Sequence, residues 1–415
     1  MIKFCISSSK RLFLLGILLS LHLMSVCANG QQTAPPTHFA SGTSALRIPF
    51  ELSSNVIFLQ VRVNNSQPLW FVLDTGASLT IIDAERAKLS GIKFSIVGKA
   101  EGAGGSPVDA GLAKDISFSL PGLDFQARQT GIISLSDLNR YTGRTVDGVL
   151  GHNFFSRFVV EIDYATRLIN LYDPKSFQYS GSGESVPIEL KDSGAAVRAR
   201  LALAGRAPID GNFRIDTGGS HALILHTPFV KAQNILQSVP KTIAAPAAGV
   251  GGETAVRLGR IQSLQLGRFT LDKPVTSFAQ STKGALANKD LTGNIGGGIL
   301  RRFKVIFDYQ NKRMILEPNG KIAEPFESDM SGAVLIAEGA KLDVPKVFYI
   351  TENSPASEAG LRVGDIITAI DSKPSSTLSL DDIREMFKQN GREYSLSIKR
   401  GEQSLQIKIK LRGLI

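Results

Sequence analysis

Apolar and polar positions along this chain change over in short runs broken by turn residues, a period that predicts strands far more than helices. Residues 56–63 are apolar and rich in β-branched side chains, and they stop at Asn64-Asn65. Residues 158–164 and 167–172 flank Ala165-Thr166 and read as a hairpin, as do 303–309 with 313–317. Helical pattern is confined to short stretches such as 83–89. Near the C-terminus the spacing changes. Ser379-Leu380-Asp381-Asp382 starts a helix with a serine cap and an acidic first turn, and Ile383, Met386 and Phe387 supply its buried face. Residues 394–399 and 404–411 then alternate as two half-buried strands around Arg400-Gly401-Glu402.

The one long apolar stretch comes first. Lys3, Lys10 and Arg11 precede the apolar residues 12–24, and Val26-Cys27-Ala28 follows as a small-residue cleavage site. Residues 1–28 therefore read as a signal peptide and 29–47 as an N-terminal tail, which predicts an exported protein of the periplasm or cell envelope, secretion remaining open. Val26 before Cys27 is a poor context for a lipid anchor. No later stretch is apolar and long enough to span a bilayer, so no transmembrane anchor is expected in the mature chain.

Both cysteines, Cys5 and Cys27, leave with that segment, so disulfides, thiol nucleophiles and thiolate metal sites are excluded from the mature chain. The formal charge of +10 falls to +7 once its three basic residues are removed. Lys and Arg are scattered without interleaved aromatics, which argues against nucleic acid as a partner.

The chain repeats itself. Trp70-Phe71-Val72-Leu73-Asp74-Thr75-Gly76-Ala77-Ser78 returns 142 positions on as Asn212-Phe213-Arg214-Ile215-Asp216-Thr217-Gly218-Gly219-Ser220. Gly102-Ala103-Gly104-Gly105 returns as Gly249-Val250-Gly251-Gly252, and the apolar run at 158–164 returns at 303–309. Matches in the same order at similar offsets predict an internal duplication, with units at 48–173 and 185–318, a polar linker at 174–184 and another at 319–328.

Two Asp-Thr-Gly loops behind apolar strands carry a specific chemistry. Two carboxylates held a few ångströms apart cannot both ionise, so the pair shares a proton. The ionised member can take a proton from water while the protonated member hydrogen-bonds a carbonyl, giving general base and general acid together. Asp74 and Asp216 are the candidate catalytic residues. Thr75 and Thr217 can hydrogen-bond across the junction of the two units, and Gly76 and Gly218 let backbone N–H groups approach the carboxylates.

These loops resemble those of the retropepsin/pepsin family of aspartic proteases, over residues 45 to 318. The resemblance implies a two-lobed acid-protease β fold with the cleft between lobes. Gly104, Gly105, Gly251 and Gly252 stand at the family's substrate flaps. Val149-Leu150-Gly151 and Asn294-Ile295-Gly296 stand at its apolar-apolar-Gly element, with Asn replacing an apolar residue in the second. The residue after each motif glycine is Ala77 or Gly219, where many pepsin-like enzymes carry a hydroxyl. Losing that hydrogen bond to the ionised form is expected to raise the dyad's apparent pKa values and extend activity toward neutral pH. Neither flap has the pepsin tyrosine, and the lobes carry no disulfides, which points to a shorter, bacterial retropepsin-like branch.

Residues 329–415 differ. The run from Ser354-Pro355-Ala356 through Gly364-Asp365-Ile366-Ile367 resembles a PDZ domain of the bacterial type, which implies a β-sandwich-like unit with short helices. The resemblance implies that Ser331, Gly332, Ala333 and Val334 form the loop that receives a peptide's terminal carboxylate. Docking on the lobes without binding free peptide stays open.

Other chemistries lack their parts. There is no Gly-x-Ser-x-Gly elbow, no His-Glu-x-x-His, and no Gly-Lys-Ser/Thr ending on the glycine loops. No metal or cofactor is expected. The sequence reads as an exported aspartic endopeptidase acting on peptides or unfolded proteins, with a PDZ domain for substrate or partner recognition. The alternative is a non-catalytic or single-substrate peptide-binding protein that keeps a protease-like cleft.

Overall fold

The computed structural model describes residues 3–5, 36–191 and 194–415. The signal-like segment lies outside the described residues apart from Lys3–Cys5, a short strand paired antiparallel with Ser95–Glu101. The expected tail is described only from residue 36. The chain is mostly β, with three sheets among the described residues.

Each aspartate motif ends a buried strand held in the middle of a sheet. Leu69–Leu73 runs parallel to Gly148–Leu150, with Leu73 opposite Leu150. Ile209–Asp216 runs parallel to Gly293–Gly296, with Asp216 opposite Gly296. Inward-facing Phe71, Leu73, Phe213 and Ile215 are all fully buried, so the loop that follows each strand is fixed from beneath.

Between the motifs the chain forms long hairpins. Ser95–Glu101 pairs with Val108–Leu120 in the first half, and Thr242–Gly249 pairs with Gly252–Arg260 in the second. The second closes on the two-residue turn Val250-Gly251, where Gly251 takes φ +89°. A side chain is strained in that conformation, which is why glycine serves there.

The two halves are joined by strands rather than by a hinge. Val159–Asp163 pairs antiparallel with Phe303–Asp308, Val160 lying opposite Phe307. Their hairpin partners Leu168–Tyr172 and Arg313–Pro318 extend the sheet outward to Ser44–Pro49 on one side and Glu184–Lys191 on the other. Phe155 packs against Phe307 at 5.4 Å and Tyr309 at 5.8 Å, so one apolar core runs through both lobes. The polar linker is pinned: the Tyr179 hydroxyl donates to Glu317 at 2.7 Å and accepts from the Gly183 N–H at 2.6 Å.

The stretch leading to the C-terminal unit is clamped. Arg302, 1% exposed, donates to the carbonyls of Gly298, Lys321 and Pro325 and lies 3.7 Å over the Phe326 ring. Beyond it, Ala333–Glu338, Val344–Ile350, Ile366–Ile370, Glu393–Arg400 and Gln403–Lys410 form a sheet with its own core. Helix Leu380–Met386 covers that core. Ser379 and Asp382 cap it reciprocally, and Ile383 and Phe387 are buried beneath it.

Candidate active site

Asp74 and Asp216 are 6% and 4% exposed and face one another across the lobe junction. A Cβ built on Gly76 would lie 3.0 Å from Asp74 Oδ1 and 3.2 Å from Asp216 Oδ1, so both carboxylates converge on the same point. One built on Gly218 would lie 2.4 Å from Asp74 Cγ. These two positions have no room for a side chain. The bare backbone instead reaches the acid: Gly76 N–H donates to Asp74 Oδ1 at 2.6 Å, and Gly218 N–H also bonds Asp74.

The threonines, both fully buried, lock the two loops to each other. Thr75 N–H donates to Thr217 Oγ1 at 3.0 Å, and Thr217 N–H donates to Thr75 Oγ1 at 3.1 Å. Each hydroxyl in turn donates to the opposite strand, Thr75 to Ile215 O and Thr217 to Leu73 O, both at 2.7 Å. Four buried hydrogen bonds with two-fold symmetry hold the carboxylates at fixed separation, and every donor and acceptor in the set is matched.

The environment pushes the Asp74 carboxyl up to about 6, chiefly by burial and next by the neighbouring Asp216 charge. The Gly76 and Gly218 N–H groups pull the other way. Asp74 therefore keeps its proton to higher pH than an ordinary carboxyl does.

The two loops have unlike surroundings. In lobe one, Ala77 follows the motif and Thr80 and Gly151 are joined by a hydrogen bond of 3.3 Å. In lobe two, His221 stands where Leu79 stands in lobe one. Its ring is confined between Gly219 and Gly296: a Cβ on the first would lie 2.3 Å from Cε1, and one on the second 2.8 Å from Nε2. The same Gly219 Cβ would lie 3.0 Å from Asp216 Oδ2, so the imidazole sits beside the carboxylate. Burial lowers the His221 pKa, against the pull of the Asp216 charge. Asn294, where lobe one has Val149, donates from Nδ2 to Asp216 Oδ2 at 3.2 Å, and behind it lies the fully buried His226. His221, Asn294 and His226 were not among the expected site residues. The departures of the second repeat from the first at 221 and 294 were the available signal, and His226 left none.

The flap glycines meet. Gly104 N–H donates to Val250 O and Ser106 N–H to Gly251 O, both at 3.0 Å, so the tips of the two hairpins are bonded to each other. A Cβ on Gly104 would fall 2.3 Å from the Gly251 carbonyl carbon, which explains glycine at that crossing. Gly105 faces Glu253 O, whereas Gly252, at φ +93°, has open space around it. Val250 joins a buried cluster that includes Ala77 and Ala100 of the first lobe.

In the C-terminal unit, the loop expected to receive a carboxylate already holds one. The Asp329 carboxylate accepts from Ser331 N–H at 2.9 Å, Ser331 Oγ at 2.7 Å and Gly332 N–H at 2.7 Å. Ala333 N–H donates to Ser331 Oγ at 3.0 Å, and Val334 lies in the strand opposite Tyr349. A peptide terminus would have to displace Asp329 from these donors. The unit is also docked on the lobes. Arg384 donates to Tyr141 O at 2.6 Å, Ser54 Oγ at 3.2 Å and Leu335 O at 3.3 Å, and Asp381 accepts from Ser54 N–H at 2.7 Å. Tyr141 packs edge-on to Phe348 at 6.0 Å and bonds Glu253 of the second flap, while Thr351 reaches Ala244 O at 3.4 Å. Tyr141 belongs to helix Ser136–Thr142, an element the strand-dominated sequence pattern did not reveal.

Among the described residues no helix is long and apolar enough to cross a membrane. No curated protein matches the chain. A family profile described as aspartyl protease matches residues 59–154, which contain the first Asp-Thr-Gly loop, its flap and Val149-Leu150-Gly151. A second, described as PDZ domain, matches residues 347–400. The chain therefore carries an aspartyl protease domain of retropepsin-like type and, behind it, a PDZ domain.

Proposed function

We propose that the protein is an exported aspartic endopeptidase that hydrolyses peptide bonds with a water activated by Asp74 and Asp216. The observation that carries this reading is the convergence of the two carboxylates on one point inside the reciprocal threonine grip. With a proton on Asp74, the ionised Asp216 takes a proton from the water as it attacks the carbonyl carbon. Asp74 donates its hydrogen bond to the carbonyl oxygen that becomes negative. Collapse of the tetrahedral intermediate then needs a proton on the departing nitrogen, which Asp216 returns. The bound peptide is extended. The outer edge of Ser95–Glu101, on which Lys3–Cys5 pairs antiparallel through its backbone, suits it once the signal-like segment is removed. Gly102 to Gly105 and Gly249 to Gly252 would close over it. We infer further that the lobes arose by internal duplication, and that the PDZ domain selects substrates or partners by their peptide ends.

A second reading is favoured by one observation. The flap tips are bonded to each other and the PDZ domain touches the second flap, so entry requires several contacts to part. A protease limited to one native substrate, or a peptide-binding protein without turnover, would have such a cleft. Cleavage of a mixed peptide library by the mature protein from about pH 3 to 8 tests the choice, with Asp74→Asn, Asp216→Asn and pepstatin as controls. Cleavage abolished in both variants supports the endopeptidase. Peptide capture without cleavage at any pH would transfer the assignment to the binding protein. Sequencing the N-terminus of the protein recovered from the cell envelope tests export, which an uncleaved cytoplasmic form would refute.

A further inference from the structure

The polar shell on one side of the dyad has a hydrogen-bond mismatch that assigns it a role. His226 is fully buried, with Nε2 2.9 Å from Asn294 Oδ1 and Nδ1 3.2 Å from the Asn288 carbonyl oxygen. Both ring nitrogens thus face oxygen acceptors. Burial holds the ring's pKa down at about 4, so above that pH it carries a single N–H and satisfies one acceptor only. The other contact sets a lone pair against a carbonyl inside the core, an arrangement proteins rarely keep.

Turning the Asn294 amide end for end removes the mismatch, but only when Asp216 carries a proton. The carboxyl O–H then donates to Asn294 Oδ1, Asn294 Nδ2 donates to the bare His226 Nε2, and His226 Nδ1–H donates to Asn288 O. With Asp216 ionised, Asn294 Nδ2 faces the carboxylate at 3.2 Å, and the ring must offer its proton from Nε2 instead. The geometry points to a two-position relay, Asn288–His226–Asn294, that reverses with the proton on Asp216. Asn294 and His226 are positioning residues. Asn294 bonds Asp216 Oδ2 and His226 stands behind Asn294, so each acts through Asp216, by giving it a matched partner in both protonation states. Lobe one has no counterpart, because Val149 stands where Asn294 does, and so the relay serves the carboxylate assigned as base. This deepens the peptidase reading and rests on it for its use, though not for its existence.

The ionisable groups facing the relay are few. Asp74 lies across the junction from Asp216, His221 lies beside both Asp216 and His226, and the Arg214 charge bears on His226. Because burial, and after it the Arg214 charge, disfavours a second proton on His226, the ring responds by changing tautomer rather than by charging.

The test is a titration of full-length mature protein carrying 15N in its imidazoles and 13C in its aspartate carboxyls. Asp216→Asn and His226→Gln identify the signals. The protonated ring nitrogen of His226 should pass from Nδ1 to Nε2 as the pH rises, at the midpoint of the Asp216 carboxyl. Asn294→Val, which installs the lobe-one residue, takes a partner from both forms of Asp216, so the midpoint should rise by the difference between a charged and a neutral hydrogen bond, about one pH unit, and His226 should stay in one tautomer throughout. His226→Gln, whose amide can also offer either end, should keep the Asp216 midpoint within about half a unit of wild type, a loss well below that of a charged hydrogen bond. A His226 that stays in one tautomer, or becomes doubly protonated, while Asp216 titrates overturns the relay. So does an unmoved midpoint in Asn294→Val. Peptide cleavage measured on the same samples separates the two readings. A tautomer change without cleavage upholds the relay and removes the peptidase, and cleavage without a tautomer change does the reverse.

Discussion

Gly219→Ala should be costly although Ala is what the first lobe uses at the matching position, Ala77. The Gly219 backbone has no positive φ, so the chain itself would accept alanine, and the loss of unfolded-state freedom alone would favour it by about 0.4–1 kcal/mol. The obstacle is His221. A new Cβ would lie 2.3 Å from Cε1 and 2.7 Å from Nδ1, whereas ordinary contact begins at 3.4 Å, so the ring must retreat by about 1 Å. It cannot, because Gly296 backs it on the other side, with its own Cβ position 2.8 Å from Cδ2 and Nε2. Asp216 Oδ2, at 3.0 Å, closes the remaining direction. Overpacking of such a confined site costs about 1–3 kcal/mol. His221→Leu supplies the lobe-one residue, and the double variant recreates the Ala77 and Leu79 pair. The double variant should therefore recover most of the Gly219→Ala loss, with a coupling of about 1–3 kcal/mol in a double-mutant cycle. Urea midpoints of the four proteins measure it. A Gly219→Ala variant as stable as wild type, or strict additivity, would refute the reasoning.

Three further outcomes follow from the packing. The folded-state pKa of Asp74, about 6, lies above its ordinary 3.8, so folding holds the proton more tightly than the unfolded chain does. Stability present below pH about 4 is lost as the pH rises through 6, by about 3 kcal/mol for a shift of this size. Asp74→Asn should thus be more stable than wild type at pH 7 and no more stable at pH 4 by urea denaturation. Equal midpoints at pH 7 would contradict the burial account. Arg302→Ala strips the carbonyls of 321–325 of their donor and Phe326 of its cation, on the order of 3–5 kcal/mol locally. Limited proteolysis should then cut within 319–328, and an uncut linker would count against the clamp. Arg384→Ala should loosen the PDZ domain by about 1.5–3 kcal/mol, raising amide exchange in Ser136–Thr142 and Ala333–Glu338. Unchanged exchange in both elements would show that the dock does not depend on Arg384.

Legibility in the sequence followed the range of the forces involved. Strands with one buried face carry their period in the residues themselves, which is why 56–63 and the hairpins around Ala165-Thr166 were readable. The helix at 83–89 was readable too, and its cap is Asp83, which accepts from Glu85 and Arg86 N–H. The aspartate pair stood out because two copies of one tripeptide stand at matching places. Helix Ser136–Thr142 was not found, since it buries none of its own residues and is positioned by contacts with remote segments. The carboxylate already seated in the PDZ loop was equally hidden. Asp329 is polar and lies two residues before Ser331, and nothing in that spacing says that its side chain turns back onto the loop's own donors. Contacts between residues far apart in the chain, such as Gly194 making room for the Arg214 guanidinium, leave only an isolated glycine as their trace.

The departures between the repeats carry more than the matches. A symmetric dyad in symmetric surroundings would give neither carboxylate a standing claim on the proton, because each loop would stabilise either state equally. Here Asp74 receives backbone N–H groups from Gly76 and Gly218, while Asp216 receives the Asn294 side chain and has an imidazole beside it. Backbone donors cannot reverse. An amide backed by a histidine can. Under the proposed reaction Asp216 changes state twice in each turnover, whereas Asp74 only donates toward an oxygen, so the adaptable partners stand beside the carboxylate that must change. If that division holds, exchanging the shells, with Val149→Asn in lobe one and Asn294→Val in lobe two, should lower cleavage by at least about tenfold, the 1.4 kcal/mol equivalent of part of one charged hydrogen bond. The reciprocal threonine bonds should be left in place, and because Val149 and Asn294 are both buried, cleavage is compared at a temperature where circular dichroism shows the exchanged protein folded. Cleavage within about twofold of wild type in the exchanged protein, well under 1 kcal/mol, would mean that the asymmetry is incidental to the chemistry.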